Sequence, residues 1–373
     1  MRAEVDDAAV PLLPSPGELD TFAGWWQNPL EMLRTFGGKE HESSACEWYQ
    51  IVDALVGVES EDVFLRRRFQ ALYGEFLAGS DRVSDNLKKL YCRVQTSSAG
   101  PILVTFVAPQ QIDIAEFILS LFTERGYVEI RQAATGWRFL GMNGKTCPFL
   151  AANGSHALVD AREQWQALVA SCIINWAMLM QPELLFFHAA SIGIDGAGVL
   201  ISGEKGLGKT TISMALAAHG HAFLGDEIAA VRTRTKELAS FRRAISVRPG
   251  TRSPQVERLL GGRSYPTEHF PDGTTRLRVK AAELFPEVAA GPLPIRSIFF
   301  LSGFEDHPRA EAFAPRTTDV RLLTPLPCKF WGVPPAPLLL QVARLISSVK
   351  CYHLHCGLPE ETAQLVERIV RTN

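Results

Sequence analysis

Gly198-Val199-Leu200-Ile201-Ser202-Gly203-Glu204-Lys205-Gly206-Leu207-Gly208-Lys209-Thr210-Thr211 is the stretch on which the reading of this chain turns. The apolar Val199-Leu200-Ile201 predicts a strand. Gly203 to Thr210 then fits G-x-x-x-x-G-K-[ST]. From Lys209 to about His219 the apolar residues Ile212, Ala215 and Leu216 fall on one side of a predicted helix. Strand, glycine loop and helix in this order are the setting in which such a loop holds a polyphosphate. Gly203, Gly206 and Gly208 let the backbone bend and come close to an anion. The loop's N–H groups and the positive end of the helix face it. Lys209 supplies a mobile point charge to the β- and γ-phosphates. The Thr210 hydroxyl is a hard oxygen ligand for Mg²⁺. Glu204, Lys205, Leu207 and Thr211 complete the expected nucleotide-binding segment.

Working outward, the helix is expected to stop at Gly220, and His221-Ala222-Phe223-Leu224 predicts a short strand. That strand delivers Asp226 and Glu227 at its C-terminal end. Acids there, beside a phosphate loop, commonly hold Mg²⁺ or act on a nucleophile. Sixteen positions separate Thr210 from Asp226, room for about three helical turns and one strand. The acids therefore come from the strand that directly follows the phosphate-binding helix. Upstream, Leu184–Ile194 reads as one apolar strand carrying His188, which is a buried hydrogen-bonded histidine or a site residue. Downstream, Ala244–Val247 reads as a strand that presents Arg248 to spread phosphoryl charge or, equally, to solvent. Arg242, Arg243 and Arg252 suggest a basic rim around it. Cys351, His353 and His355 alternate onto one strand face, where a zinc site is conceivable, but the spacing fits a plain strand better.

The remaining 150 or so N-terminal residues carry no motif of this kind. Phe22–Phe36, Ile51–Leu77 and Ile112–Arg125 have helical spacing. Leu90–Gln95, Ile102–Val107, Tyr127–Arg131 and Trp137–Met142 read as strands, with turns at Thr135-Gly136 and Asn143-Gly144. Glu163–Gln181 reads as an apolar helix stopped by Pro182. We expect an N-terminal helical and mixed α/β region over 1–150 and an α/β domain over 151–373.

Composition narrows the classes. The chain has 373 residues, 38 Lys+Arg against 40 Asp+Glu and a net charge of −2, with 46% hydrophobic residues. These values exclude a largely disordered or collagen-like chain. They supply no basic surplus for nucleic acid. Seven scattered cysteines, with no CxxC pair, argue against a disulfide framework. The longest apolar stretch, Ala167–Met180, is too short to span a bilayer of about 30 Å. Together with an N-terminus unlike a signal peptide, these features predict a soluble cytoplasmic protein.

His188-Ala189-Ala190, the glycine loop, Gly220-His221 and the acidic pair Asp226-Glu227 together resemble the catalytic domain of HPr kinase/phosphorylase and its relatives. The resemblance runs from His188 to Asp226. The segment Val349–Leu354 and the helix after it extend it toward the C-terminus. It implies a P-loop kinase core of the HPr-kinase/PEP-carboxykinase type. By position, Lys209 and Thr210 would bind ATP and Mg²⁺, Asp226 would share the metal, and His188 would be an active-site histidine. Asp226 or Glu227 would take the proton of a substrate hydroxyl. The family has two aspartates here, and the glutamate leaves the two roles open. Ile245–Gly250 stands where the bifunctional enzymes carry a Glu- and Gly-containing segment, so the likeness is nearer to stand-alone kinases. The activity implied is ATP- and Mg²⁺-dependent phosphorylation of a serine-type hydroxyl on a peptide, protein or small molecule, in an assembly of identical chains. The alternative is a nucleotide-hydrolysing regulatory switch without phosphotransfer.

Overall fold

The computed structural model describes residues 46–78, 87–95, 102–107, 128–133, 136–141, 149–153, 156–159, 165–248, 254–269, 274–286, 291–316, 323, 325–326 and 336–372. The expected helices Phe22–Phe36 and Ile112–Arg125 and the Asn143-Gly144 turn lie outside them, as does Arg252.

The chain is α/β, built on two large sheets and one small one. The first sheet joins β1 (Glu47–Ile51), β2 (Ala54–Ser60), β3 (Lys88–Gln95), β4 (Ile102–Val107), β5 (Val128–Ala133), β6 (Gly136–Gly141), β7 (Phe149–Asn153) and β8 (His156–Val159). Their order is β1-β2-β3-β4-β8-β7-β6-β5. The sheet thus continues through residue 150 to Val159. The predicted strands around Leu90, Ile102, Val128 and Trp137 are all present. Ile51–Leu77 is not one helix. It holds the end of β1, all of β2 and a helix only over Val63–Tyr73. The apolar run of β2 is buried on both faces, so it lacks the alternation that marks a half-exposed strand.

The helix Val63–Tyr73 starts where the Asp62 side chain accepts from the Leu65 amide, which satisfies one of the orphan donors of the first turn. It packs, together with helix Trp165–Leu179, on the first sheet. Tyr49, Phe69, Phe106 and Trp176 fill the layer between them. Phe106 and Trp176 meet ring to ring at 4.5 Å. Helix Trp165–Leu179 is apolar on most of its surface because Val169, Ala170 and residues 172–178 are buried, while Ser171 is exposed.

The second sheet contains the predicted glycine-loop strand. Its order is β12 (Ala222–Gly225), β10 (Ala189–Ile194), β11 (Ala197–Ser202) and β18 (Leu293–Phe304), continued by β20 (Lys350–Cys356) and β19 (Arg309–Phe313). β9 (Leu184–Phe187), β13 (Ala229–Arg232) and β14 (Glu237–Ala239) branch from the start of β18. Leu184–Ile194 is therefore two strands rather than one, broken at His188. β11, β18 and β20 run parallel, and β10 runs against both β11 and β12. The C-terminal ends of β12, β11, β18 and β20 thus share one edge of the sheet.

Helices Lys209–Ala218 and Pro359–Thr372 cover one face, packed on Ile192, Ile201 and Phe299. Helix Ala336–Ile346 covers the other, over Leu200, Ile298 and Phe300. A small third sheet, β15 (Ile245–Val247), β17 (Thr275–Val279) and β16 (Thr267–His269), flanks the acidic end.

Candidate active site

β11 ends at Ser202, and the loop over residues 203–208 turns back into the helix that begins at Lys209. Gly208 caps that helix at φ +94°, a left-handed conformation that any side chain but hydrogen would strain. Gly206 sits at φ +100° with open space where a side chain would be. The loop therefore leaves its backbone uncovered at the positive end of a helix. Lys209 is buried and its Nζ donates to the carbonyls of Gly203 at 2.7 Å and Glu204 at 3.1 Å. The ammonium is folded along the rim of the loop.

Two strands away, β12 ends at Gly225. A Cβ there would lie 2.8 Å from the carbonyl oxygens of both Ile228 and Phe241, so the chain turns in a space only glycine fits. Asp226 follows. Thr210 Oγ1 donates to Asp226 Oδ2 at 3.0 Å, which ties the start of the helix to the acid. Asp226 is 4% exposed, and its Oδ1 is buried with no hydrogen-bond partner among the described residues. Burial first, and then the charge of Glu227, push the Asp226 carboxyl up to about 7. The Thr210 bond and Lys209 oppose that rise.

Glu227 sits in the opposite electrostatic setting. Burial alone would raise its carboxyl, but Arg243, Arg278 and His188 hold it below the ordinary range. Arg243 Nη1 donates to Glu227 Oε2 at 2.7 Å. His188, at the break between β9 and β10, places Nδ1 3.1 Å from the Glu227 carbonyl oxygen, a contact that puts the proton on Nδ1. His188, the glycine loop, Lys209, Thr210, Asp226 and Glu227 are thus brought to one sheet edge.

Other expected groups fall elsewhere. Arg248 is exposed at the end of β15. Arg242 and Arg243 are not a basic rim. Arg242 is buried, donating to Glu75 at 2.9 Å and to the carbonyls of Phe223 and Phe285. Arg243 turns inward to Glu227 and stacks over the Tyr73 ring at 5.7 Å. Sequence reasoning missed this link between the N-terminal region and the acid, because Tyr73 and Arg243 are remote in sequence and carry no shared motif. On β20, His353 stacks on Phe313 at 4.1 Å and His355 lies 3.2 Å from Glu305. Among the described residues no group of three or more His, Cys, Asp or Glu is arranged to hold a metal. Cys46, Cys92, Cys172, Cys351 and Cys356 are free thiols. No helix among the described residues is long and apolar enough to cross a membrane.

The glycine loop at the end of β11 and the acid pair after β12, two strands away, fall in the stretch on which the sequence resemblance to HPr kinase/phosphorylase rests. Curated relatives carry the same name. The chain is 33% identical over 61 residues to the HPr kinase/phosphorylase of Chlorobium luteolum, which is 16% of this chain and 18% of that protein. It is 34% identical over 61 residues to that of Chlorobaculum tepidum, with the same shares. It is 48% identical over 40 residues to that of Mycoplasma mycoides, 11% of this chain and 13% of that protein. The chain is thus HPr kinase-like over a segment that spans less than a fifth of these relatives' length. No protein-family model matches it. A solved structure titled "Structure of the Hpr(Ser) kinase/phosphatase from Coxiella burnetii" covers 50% of this chain and 94% of that one, at 16% identity and a TM-score of 0.25. A TM-score at that level carries no argument about the fold.

Proposed function

We propose that this chain is a kinase that moves the γ-phosphoryl group of ATP to a serine-type hydroxyl on a peptide, protein or small molecule, with Mg²⁺. The observation that carries the reading is the bond from Thr210 to Asp226 across the mouth of the glycine loop, beside a buried lysine. A hydroxyl and a carboxylate joined there, with one carboxylate oxygen buried and unpartnered, suit a small hard cation. Thr210 and Asp226 would hold Mg²⁺, which when bound neutralises charge on the phosphates.

The roles of the other residues follow from their surroundings. Residues 203–211 would cradle the phosphates with backbone amides. Lys209, now resting on two loop carbonyls, would turn its ammonium to the anion. Asp226 and Glu227 are pushed apart in proton affinity, which separates their tasks. Glu227, kept ionised and aimed by Arg243, would orient the incoming hydroxyl and accept its proton as the phosphorus–oxygen bond to ADP breaks. In a loose transition state positioning matters more than base strength, so a carboxylate with lowered proton affinity suffices. His188 would fix the Glu227 backbone. Arg248, exposed at the end of β15, is given no role in this reading.

Incubation with γ-labelled ATP, Mg²⁺ and serine-containing peptides tests the reading. Label on a hydroxyl, lost in Asp226→Asn and Glu227→Gln, supports it. Phosphate release alone supports a hydrolysing switch. Full transfer in both variants removes the catalytic assignment.

A further inference from the structure

The sheet edge that gathers the glycine loop and the acids carries a third feature, on the other side of the loop. β18 lies next to β11 and parallel to it, with Ser202 opposite Phe300. β18 then runs on for four residues, about 13 Å, past the point where β11 ends. Its last residue, Phe304, rises to the level of the loop. A methyl group at Gly208 would lie 3.8 Å from both Cε1 and Cζ of the Phe304 ring. The ring's far edge therefore lies just beyond the last glycine of the loop. Yet Phe304 is 64% exposed, an unusual place for a large aromatic side chain. Its partner on the adjacent β20 is Cys356, and Leu358, just past β20, is also exposed.

The order along the edge gives direction to any nucleotide bound there. Asp226 stands at the end of β12, the loop at the end of β11, Phe304 at the end of β18 and Leu358 beyond the end of β20. Ligands of open α/β sheets lie across the C-terminal ends of parallel strands. With the terminal phosphate drawn toward Thr210 and Asp226, the rest of the nucleotide extends away from the acid, over β18 and β20. An exposed aromatic ring at that place suits a flat π-system.

We propose that Phe304 is the stacking platform for the purine ring of the nucleotide whose phosphates occupy the glycine loop. The proposal rests on the nucleotide reading above. The ring of Phe304 then contributes to binding through the base and not through the phosphates, so nucleotide and bare polyphosphate respond differently to its removal.

That difference is the test. Titration calorimetry with Mg²⁺ measures ATP and inorganic tripolyphosphate against the full chain, Phe304→Ala and Phe304→Trp, with melting curves confirming that the exposed substitutions leave the fold intact. The expected result is ATP binding weakened about tenfold in Phe304→Ala, as for loss of one stacked base. Tripolyphosphate affinity is unchanged in that variant, and Phe304→Trp retains ATP affinity. Equal ATP affinity in all three proteins overturns the proposal. Parallel loss of ATP and tripolyphosphate also overturns it, by showing that the ring only props the loop. A wild-type chain that binds neither ligand fails the nucleotide reading itself, a result distinct from the other two.

Discussion

Replacing Asp226 by Asn should change how stability depends on pH more than it changes stability itself. The Asp226 carboxyl moves from an ordinary value of 3.8 to about 7 in the folded chain, chiefly because it is buried. The folded state therefore keeps its proton where the unfolded state has lost it. Stability that this group supplies is whole below about pH 3.8 and drains away as pH rises toward 7. A tenfold change in proton affinity corresponds to about 1.4 kcal/mol, so the rise sets an upper bound of about 4 kcal/mol. Asn keeps an acceptor for the Thr210 hydroxyl but cannot ionise. Urea unfolding of both proteins in EDTA, from about pH 4 to about pH 8, checks this. The two should agree within about 1 kcal/mol at the acid end, and Asp226→Asn should be the more stable by about 3 kcal/mol at the alkaline end. Millimolar Mg²⁺ should narrow the gap by stabilising wild type alone, since only the carboxylate gains from the cation. Parallel pH profiles for the two proteins would refute the reasoning, because they would mean that Asp226 ionises as freely folded as unfolded.

Further outcomes follow from single contacts. Glu75→Ala strips the carboxylate from buried Arg242, whose Nε lies 2.9 Å from it, and should cost about 3 kcal/mol in denaturant unfolding, with Glu75→Gln recovering part of it. Gly225→Ala forces a Cβ to within 2.8 Å of two carbonyl oxygens and should lower stability by about 2 kcal/mol or more, visible as a fall in melting temperature. Lys209→Ala should abolish binding of both ATP and tripolyphosphate in calorimetry while costing little stability, because the ammonium it removes rests on loop carbonyls that water can reach once the side chain is gone. Arg243→Ala removes the largest of the charges that hold Glu227 ionised, so a pH profile of activity should shift its acid limb upward. An unmoved limb would separate Arg243 from the acid.

The parts of the site that were legible in the sequence are those held by local geometry. The strand, glycine turn and helix from Gly198 to Ala218 follow from spacing alone. The short gap to Asp226 leaves room for only one helix and one strand, and that is what fills it. The predicted strands of the first sheet came through where branched and aromatic residues cluster. The failures have physical reasons. β2 is buried on both faces and lost its alternation. The β1–β2 hairpin turns at Val52-Asp53, with Val52 at φ +54°, where nothing in the side chain announces a left-handed residue. The break at His188 hides in a continuous apolar run. Arg243 was visible as a charge, but its direction is set by Tyr73 and Glu227, contacts made only after two distant segments pack. A surface arginine and a buried one read alike until that packing is known.

The most direct measurement is a crystal structure of the chain with Mg²⁺ and a non-hydrolysable ATP analogue. The account predicts the β- and γ-phosphates against the backbone amides of residues 206–210, with the cation between Thr210 Oγ1 and Asp226. Density for the analogue elsewhere on the molecule, or a cation held away from Asp226, would contradict it.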